Sequence, residues 1–367
     1  MTKTVVHVLQ AMNVGGVEAW LMTLLRTTDP QVIQHEFIVH NQQPGFYDNE
    51  IRRLGGKIHY CPRPTNPLRH GVNLYKNFRR IQPDVVHSHL HAFSGWVLAV
   101  AYLSRVKIRI SHCHSNANAQ DRSRVYRLYF RSMQALLAMF ATHRIAVSAS
   151  AAKKLYGRTW QDKPNCRVLC CAVDLQQYDA QHKDTTLRQR LGIPNKAFVM
   201  GHVGRFEAPK NHQFLIEVFE QVHQRDPNTY LVLVGEGSLK ARIESQVAML
   251  NLSGYVKFLG LRQDVPVLML SVFDVFVFPS LWEGLGLVAI EAQMAGLLVL
   301  ASDQVPQEAD CGHLQFMALD KPQWVKRLLD IKAHKGQRSN KKNRTRYDFA
   351  NSPFVKDSAE LYRIYTQ

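Results

Sequence analysis

The chain has little to staple it and no stretch long enough to span a bilayer. Its six cysteines (Cys61, Cys113, Cys166, Cys170, Cys171 and Cys311) include no Cys-x-x-Cys pair, and the opening MTKTVVHVLQAMN has an apolar run too short for a signal peptide. Both point to a reduced, cytoplasmic protein. The longest apolar stretches, SGWVLAVAYL from Ser94 and MQALLAMFA from Met133, fall well short of the ~20 residues a membrane span requires. Acidic residues are scarce as well, 29 against 46 Lys and Arg, for a net charge of +17. The imbalance lies in the first 190 residues, with 26 basic against 11 acidic side chains. No recognisable nucleic-acid module accompanies it, so nucleic acid is not the expected partner. What is present, 46% hydrophobic and 20% charged over 367 residues, suits a globular protein with two full cores.

Short β-branched runs alternate with longer helical patterns through both halves, the rhythm of two doubly wound parallel α/β sheets. In the first half the strand candidates are VVHVL, HEFIVH, KIHYC, DVVHSH, KIRISHC and RIAVS; in the second they are FVMGHVG, TYLVLVG, VKFLG, VFVFPS and LLVLAS. The polar segment from Gln176 to Lys196 reads as a hinge. The expected domains are 1–180 and 195–350, two Rossmann-like lobes facing across a deep cleft. An amphipathic helix over about 352–367 is expected to cross back to the first lobe.

In open parallel sheets ligands lie beyond the carboxyl ends of the strands, and the motifs with chemistry sit there. FPSLWEGLGLVAIEAQMAG, from Phe278, places Glu283 just before an expected helix and Glu291 about 9 Å along its axis at 1.5 Å per residue. Amides near Gly284 and Gly286 fall between the two carboxylates. Helix-start amides hold anions and carboxylates accept hydroxyl protons, so the pattern suits a diphosphate flanked by sugars. GHVGRFEAPKN, from Gly201, sets Arg205 and Lys210 on one loop, two cations fit to stabilise charge on a departing diphosphate. In AMNVGGVEAW, Gly15 and Gly16 follow the opening strand and allow close backbone approach to a phosphate, although such a pair is often only a turn. Histidines cluster in HSHLH (His87, His89, His91) and HCH (His112, His114), where alternation points side chains the same way. No third-ligand cysteine or carboxylate spacing supports a metal there, so no metal site is expected. RSRVYRLYFRS, from Arg122, carries Arg124, Arg127 and Arg131 on one helix face with Tyr126, Tyr129 and Phe130 interleaved, which suits either an anionic lipid surface or a plain solvated face.

Together, FPSLWEGLGLVAIEA and GRFEAPKN resemble the retaining glycosyltransferase family 4, whose fold is GT-B. The match is motif by motif in the second half and looser in the first, where DVVHSHLHAF and RISHCHSNA look most like the exopolysaccharide-type, EpsF-like members. The resemblance implies that Arg205 and Lys210 hold the donor pyrophosphate, Glu291 the ribose and Glu283 the transferred sugar. Amides of Leu285, Gly286 and Leu287 would complete the grip, with EGLG standing where Glu-Gly-Phe-Gly is commoner. GEGSLKARIE and FLGLRQDV look like segments lining the nucleobase pocket, and Gly15 and Gly16 match the family's glycine loop. His114, with His112 as alternative, takes the place of the histidine near the reacting sugar. No Asp-x-Asp occurs, the motif with which the other large glycosyltransferase fold recruits a divalent cation.

The expected activity is a retaining, metal-independent transfer of a hexose or N-acetylhexosamine from a UDP-sugar, with no cofactor. UDP is preferred to GDP on family grounds alone. The acceptor would be lipid-linked or an oligosaccharide in bacterial surface polysaccharide synthesis, with the enzyme peripheral on the inner face of the plasma membrane. A nucleotide-sugar epimerase or hydrolase of the same fold, or a silent scaffold, are the rivals. The first lacks this combination of two bases and two acids, and the second would need one of them lost.

Overall fold

The computed structural model describes residues 2–62, 66–115, 123–171, 174–334 and 353–367. The chain divides into two compact units, Met1–Val173 with Ala350–Gln367, and Asp174–Phe349.

In the first unit the strands are β1 (Lys3–Leu9), β2 (Ile33–Val39), β3 (Lys57–Tyr60), β4 (Val85–Ser88), β5 (Ile108–Cys113), β6 (His143–Ala146) and β7 (Cys166–Val168). They pair in parallel in the order β3-β2-β1-β4-β5-β6-β7. Helices on both faces bury the central strands completely, which is why β1 and β4 read as apolar runs rather than as alternation. Chain order reverses between β1 and β4, the position where open sheets form their crevice. The closing helix Pro353–Thr366 belongs to this unit. The Tyr365 hydroxyl lies 2.6 Å from His87 Nδ1, Asp357 accepts from the Cys170 amide at 2.7 Å, and Glu360 pairs with Arg167. The return of the C-terminus to the first lobe thus takes the form of packing inside it.

The helix Arg124–Phe140 rests on the helix Ser94–Leu103, where a side chain at Gly95 would strike the Met133 carbonyl. Its other side is open. Arg124, Arg127 and Arg131 are exposed together with Val125, Leu128 and Met139 at 78, 68 and 72%. Tyr126, Tyr129 and Phe130 are only half-buried and pack on one another, so the exposed apolar residues are aliphatic rather than aromatic. Arg122 lies outside the described residues.

The second unit repeats the plan with β8 (Phe198–Val203), β9 (Thr229–Val234), β10 (Val256–Phe258), β11 (Val275–Phe278), β12 (Leu298–Ser302) and β13 (Leu314–Met317), in the order β10-β9-β8-β11-β12-β13. Its core joins Phe198, Met200 and Leu231 on the sheet to Phe219 and Trp324 on the covering helices. The segment 176–196, expected as a hinge, is docked on this unit. Arg188 bridges to Asp274 at 3.0 Å and donates to the Val272 carbonyl, and the Asp184 amide donates to Ser271. With Leu187 and Ile193 buried beneath it, polar composition here reflects a solvated outer face rather than a free linker. Sequence patterning missed β7 and β13. Each is a short, half-buried edge strand, which lacks the apolar run of a central one.

Candidate active site

The second unit switches strand order between β8 and β11, and the loops that leave these two strands carry the cations and carboxylates read from the sequence. The loop after β8 turns through a short helix at Ala208–Lys210, with Asn211 left-handed at φ 53°. Lys210 Nζ reaches across to Glu283 Oε1 at 2.5 Å and stands 4.8 Å over the Phe278 ring. Both partners are largely sheltered, with side-chain exposures of 18 and 12%. Arg205, on the same loop, is exposed.

After β11 the chain runs through Pro279 to Gly286 before the helix Leu287–Met294 begins. That start is later than expected. Glu283 therefore sits in the loop, and Glu291 lies about 6 Å from the helix start rather than about 9 Å from a start near Glu283. Gly286 caps the helix with φ 90°, a left-handed backbone at which a Cβ would also crowd Phe278 at 3.1 Å. No side chain caps this end, though of its first-turn amides that of Ala289 already donates to the Gly286 carbonyl at 2.8 Å. Leu285 is buried beneath the turn. Glu291 receives a hydrogen bond from Tyr178, and burial pushes its carboxyl up to about 7 against that bond. The same contact and burial hold the Tyr178 phenol well above its ordinary range.

Main-chain bonds stitch the neighbouring loops together. The Phe206 amide donates to the Glu236 carbonyl, Leu239 to Phe206, Gly235 to Gly260 and Leu281 to Pro209, at 2.8 to 3.0 Å. At Gly235, φ 141° and contact with the Gly204 carbonyl leave no room for a side chain. GHVGRFEAPKN, GEGSLKARIE, FLGLRQDV and FPSLWEGLG thus converge on one rim of one unit.

In the first unit, Gly15 precedes the helix Gly16–Thr27 in an extended conformation, φ −173°, that any residue adopts. A Cβ there would meet the Glu18 carboxylate, which lies in the helix's first turn. His114 stands just beyond β5, its Nε2 2.9 Å from His89 Nδ1 and its Nδ1 3.9 Å from the Cys171 sulfur. Burial drives its pKa down to about 3, so the ring is neutral. The row continues from His89 Nε2 to His7 Nδ1 at 3.1 Å and from His7 Nε2 to His35 Nδ1 at 3.0 Å. His112 Nδ1 meets His87 Nε2 at 3.2 Å. His91 stands apart in a turn, its ring 6.0 Å from Phe130. The pairing of β1 with β4 sets His7 beside His87, a proximity no spacing within HSHLH could reveal. Two groups of three histidines result, His7, His87 and His89, and His89, His112 and His114, with one nitrogen from each residue within 4.8 Å of the others.

The family model described as Glycosyltransferase Family 4 matches residues 14–177, and that described as Glycosyl transferases group 1 matches 183–311. The putative glycosyltransferase EpsF of Bacillus subtilis (strain 168) is 34% identical over 320 residues, covering 84% of this chain and 82% of its own. The chain belongs to the family 4 glycosyltransferases. Among more distant relatives of this glycosyltransferase is an Escherichia coli UDP-Gal:alpha-D-GlcNAc-diphosphoundecaprenol alpha-1,3-galactosyltransferase, 27% identical over 63% of this chain and 61% of that one. Among solved structures, Anabaena HepE in complex with UDP-glucose superposes with a TM-score of 0.75 at 19% identity, covering 99% of this chain and 97% of that one. WaaG, a glycosyltransferase involved in lipopolysaccharide biosynthesis, gives 0.75 at 17%, covering 99% of both chains. The fold of the enzyme is GT-B, two parallel-sheet α/β domains. Among the described residues no helix is long and apolar enough to cross a membrane.

Proposed function

We propose that this glycosyltransferase moves a hexose or N-acetylhexosamine from a UDP-sugar to a lipid-linked or oligosaccharide acceptor in bacterial surface polysaccharide synthesis, with retention at the anomeric carbon and without a metal ion. The observation that carries the reading is the contact of Lys210 with Glu283 at the strand-order switch of the second unit, beside an uncapped helix start. A cation, a carboxylate and a helix start there match a diphosphate joined to a hydroxyl-bearing sugar. HepE, which binds UDP-glucose, and the E. coli relative, which acts on a diphosphoundecaprenol-linked sugar, support the choice of donor and acceptor.

In this reading Lys210 and Arg205 take the diphosphate, Glu283 the sugar hydroxyls and Glu291 the ribose hydroxyls, with amides at Leu285, Gly286 and Leu287 completing the site. The diphosphate leaves with the electron pair of the anomeric C–O bond. The acceptor oxygen bonds to that carbon from the same face, and its proton passes to the leaving phosphate oxygen. Charge grows on the phosphate as the bond breaks, so the two cations stabilise the transition state more than the ground state. Within the first unit, His114, held neutral by burial, and the Gly15–Gly16 turn are the candidates for contact with substrate. The exposed Arg124, Arg127 and Arg131, set among Val125, Leu128 and Met139, form a face suited to anionic lipid at the inner membrane surface.

Incubating the chain with radiolabelled UDP-sugars and membrane extract tests the whole reading. Transfer into a lipid-extractable or oligosaccharide product with the donor's anomeric configuration, undiminished by EDTA, is expected. Free-sugar release would identify an epimerase or hydrolase instead, and no reaction with any donor would leave only a scaffold.

A further inference from the structure

The histidine row of the first unit has a property that a proton inventory brings out. His87, His89, His112 and His114 lie in one cluster, and an imidazole that ligates a metal is neutral. Each ring therefore has one N–H and one lone pair. Let His114 carry its hydrogen on Nδ1, toward the Cys171 sulfur, His89 on Nε2, toward His7, and His112 on Nδ1, toward His87. Those three hydrogens then have acceptors, while His7 in turn donates to His35, whose own hydrogen falls on the buried Nε2 without a partner. The lone pairs left over are His114 Nε2 and His89 Nδ1, which face one another at 2.9 Å, and His112 Nε2, a buried atom with no hydrogen-bond partner.

We propose that His89, His112 and His114 form a zinc site, with Cys171, His7 and His87 as the groups that orient the three imidazoles. Three neutral nitrogens without a carboxylate select a borderline transition metal over magnesium or calcium. A ring whose second nitrogen donates to a fixed acceptor is how metal-binding histidines are normally held, and all three have that support. Two nitrogens each about 2.05 Å from a tetrahedral ion stand about 3.3 Å apart, so the His89–His114 contact needs to open by only a few tenths of an ångström. Three protein ligands leave a fourth position for an exogenous group. An ion here also takes the His114 lone pair, so zinc would compete with sugar transfer; that consequence, unlike the binding, rests on the function proposed above.

The test uses the full-length chain without a polyhistidine tag, stripped with EDTA and dialysed against chelator-buffered zinc. Metal is quantified by atomic emission, and cobalt is added in parallel to read coordination from its visible spectrum. About one equivalent of zinc per chain and a tetrahedral cobalt spectrum are expected. His114→Asn and His89→Asn should abolish both while His334→Asn, on an exposed helix end, retains them. Cys171→Ala should weaken zinc binding by about 10- to 100-fold. Circular dichroism melts of each variant establish that it folds. Substoichiometric zinc in the wild type, or unchanged loading in folded His89→Asn and His114→Asn, overturns the site. Neither result touches the transferase assay, whose failure would leave the zinc measurement standing.

Discussion

Replacing Glu291 with glutamine should stabilise the ligand-free chain in alkali and leave it unchanged in acid. Burial lifts this carboxyl from an ordinary 4.5 to about 7 in the fold. A raised folded pKa means that the native state favours the protonated acid. Below about pH 4.5 both folded and unfolded chains hold the proton and nothing is lost. As pH rises toward 7 the unfolded chain gives up its proton first and stability falls, and above about 7 the deficit is constant. A gap of about 2.5 units at 1.36 kcal/mol each sets that deficit near 3 kcal/mol as an upper bound. Glutamine keeps the acceptor oxygen for Tyr178 but cannot ionise. Urea unfolding of wild type and Glu291→Gln, from about pH 3.5 to about pH 8.5, should give curves that coincide in acid and diverge to about 2–3 kcal/mol in base. Parallel curves, or a variant less stable in base, would refute the reasoning. In the proposed site Glu291 accepts from the ribose hydroxyls, which the ionised acid does more strongly, so UDP affinity of the wild type should move the opposite way and weaken as pH drops below about 7.

Lys210→Ala should lower turnover by about 10²-fold, the scale of one lost transition-state donor, and steady-state kinetics with saturating donor would read it; near-normal turnover there and in Arg205→Ala would remove both from the site. Asp274→Ala leaves the guanidinium of Arg188, sheltered to 12% exposure, with carbonyl acceptors but no counter-charge, and leaves the Val199 amide without its 2.8 Å acceptor, so a loss of about 3 kcal/mol is expected in urea titration. Sedimentation with anionic liposomes should show binding that weakens from low to high salt and falls by about 1 kcal/mol for each of Arg124, Arg127 and Arg131 changed to glutamine. Salt-independent binding would point to the aliphatic residues of that helix instead.

The two-sheet architecture was legible because buried parallel strands write themselves as β-branched runs, and eleven of these runs overlap β-strands of the fold. β7 and β13 were not, since an edge strand buries little and needs few apolar side chains. Lys210 and Glu283 could be picked out because local motifs fix them, even though the helix between Glu283 and Glu291 starts at Leu287. What could not be read was contact between distant segments. Tyr178 lies in a stretch that looks like linker yet bonds to Glu291. His7 and His35 look like ordinary strand residues until the sheet brings His7 against His89 and His35 against His7. Their only mark is that a polar ring in the middle of an apolar run must find a buried partner.

The rim of the second unit is bound by its own main chain: Phe206 to Glu236, Gly235 to Gly260, Leu281 to Pro209. Gly235 apart, such ties do not depend on which side chains the loops carry. Residues lining the rim can therefore be exchanged while the frame keeps its shape, and a ligand entering it need not first gather four wandering loops. Selectivity and scaffold are in this sense separable variables, the one written in side chains and the other in peptide groups.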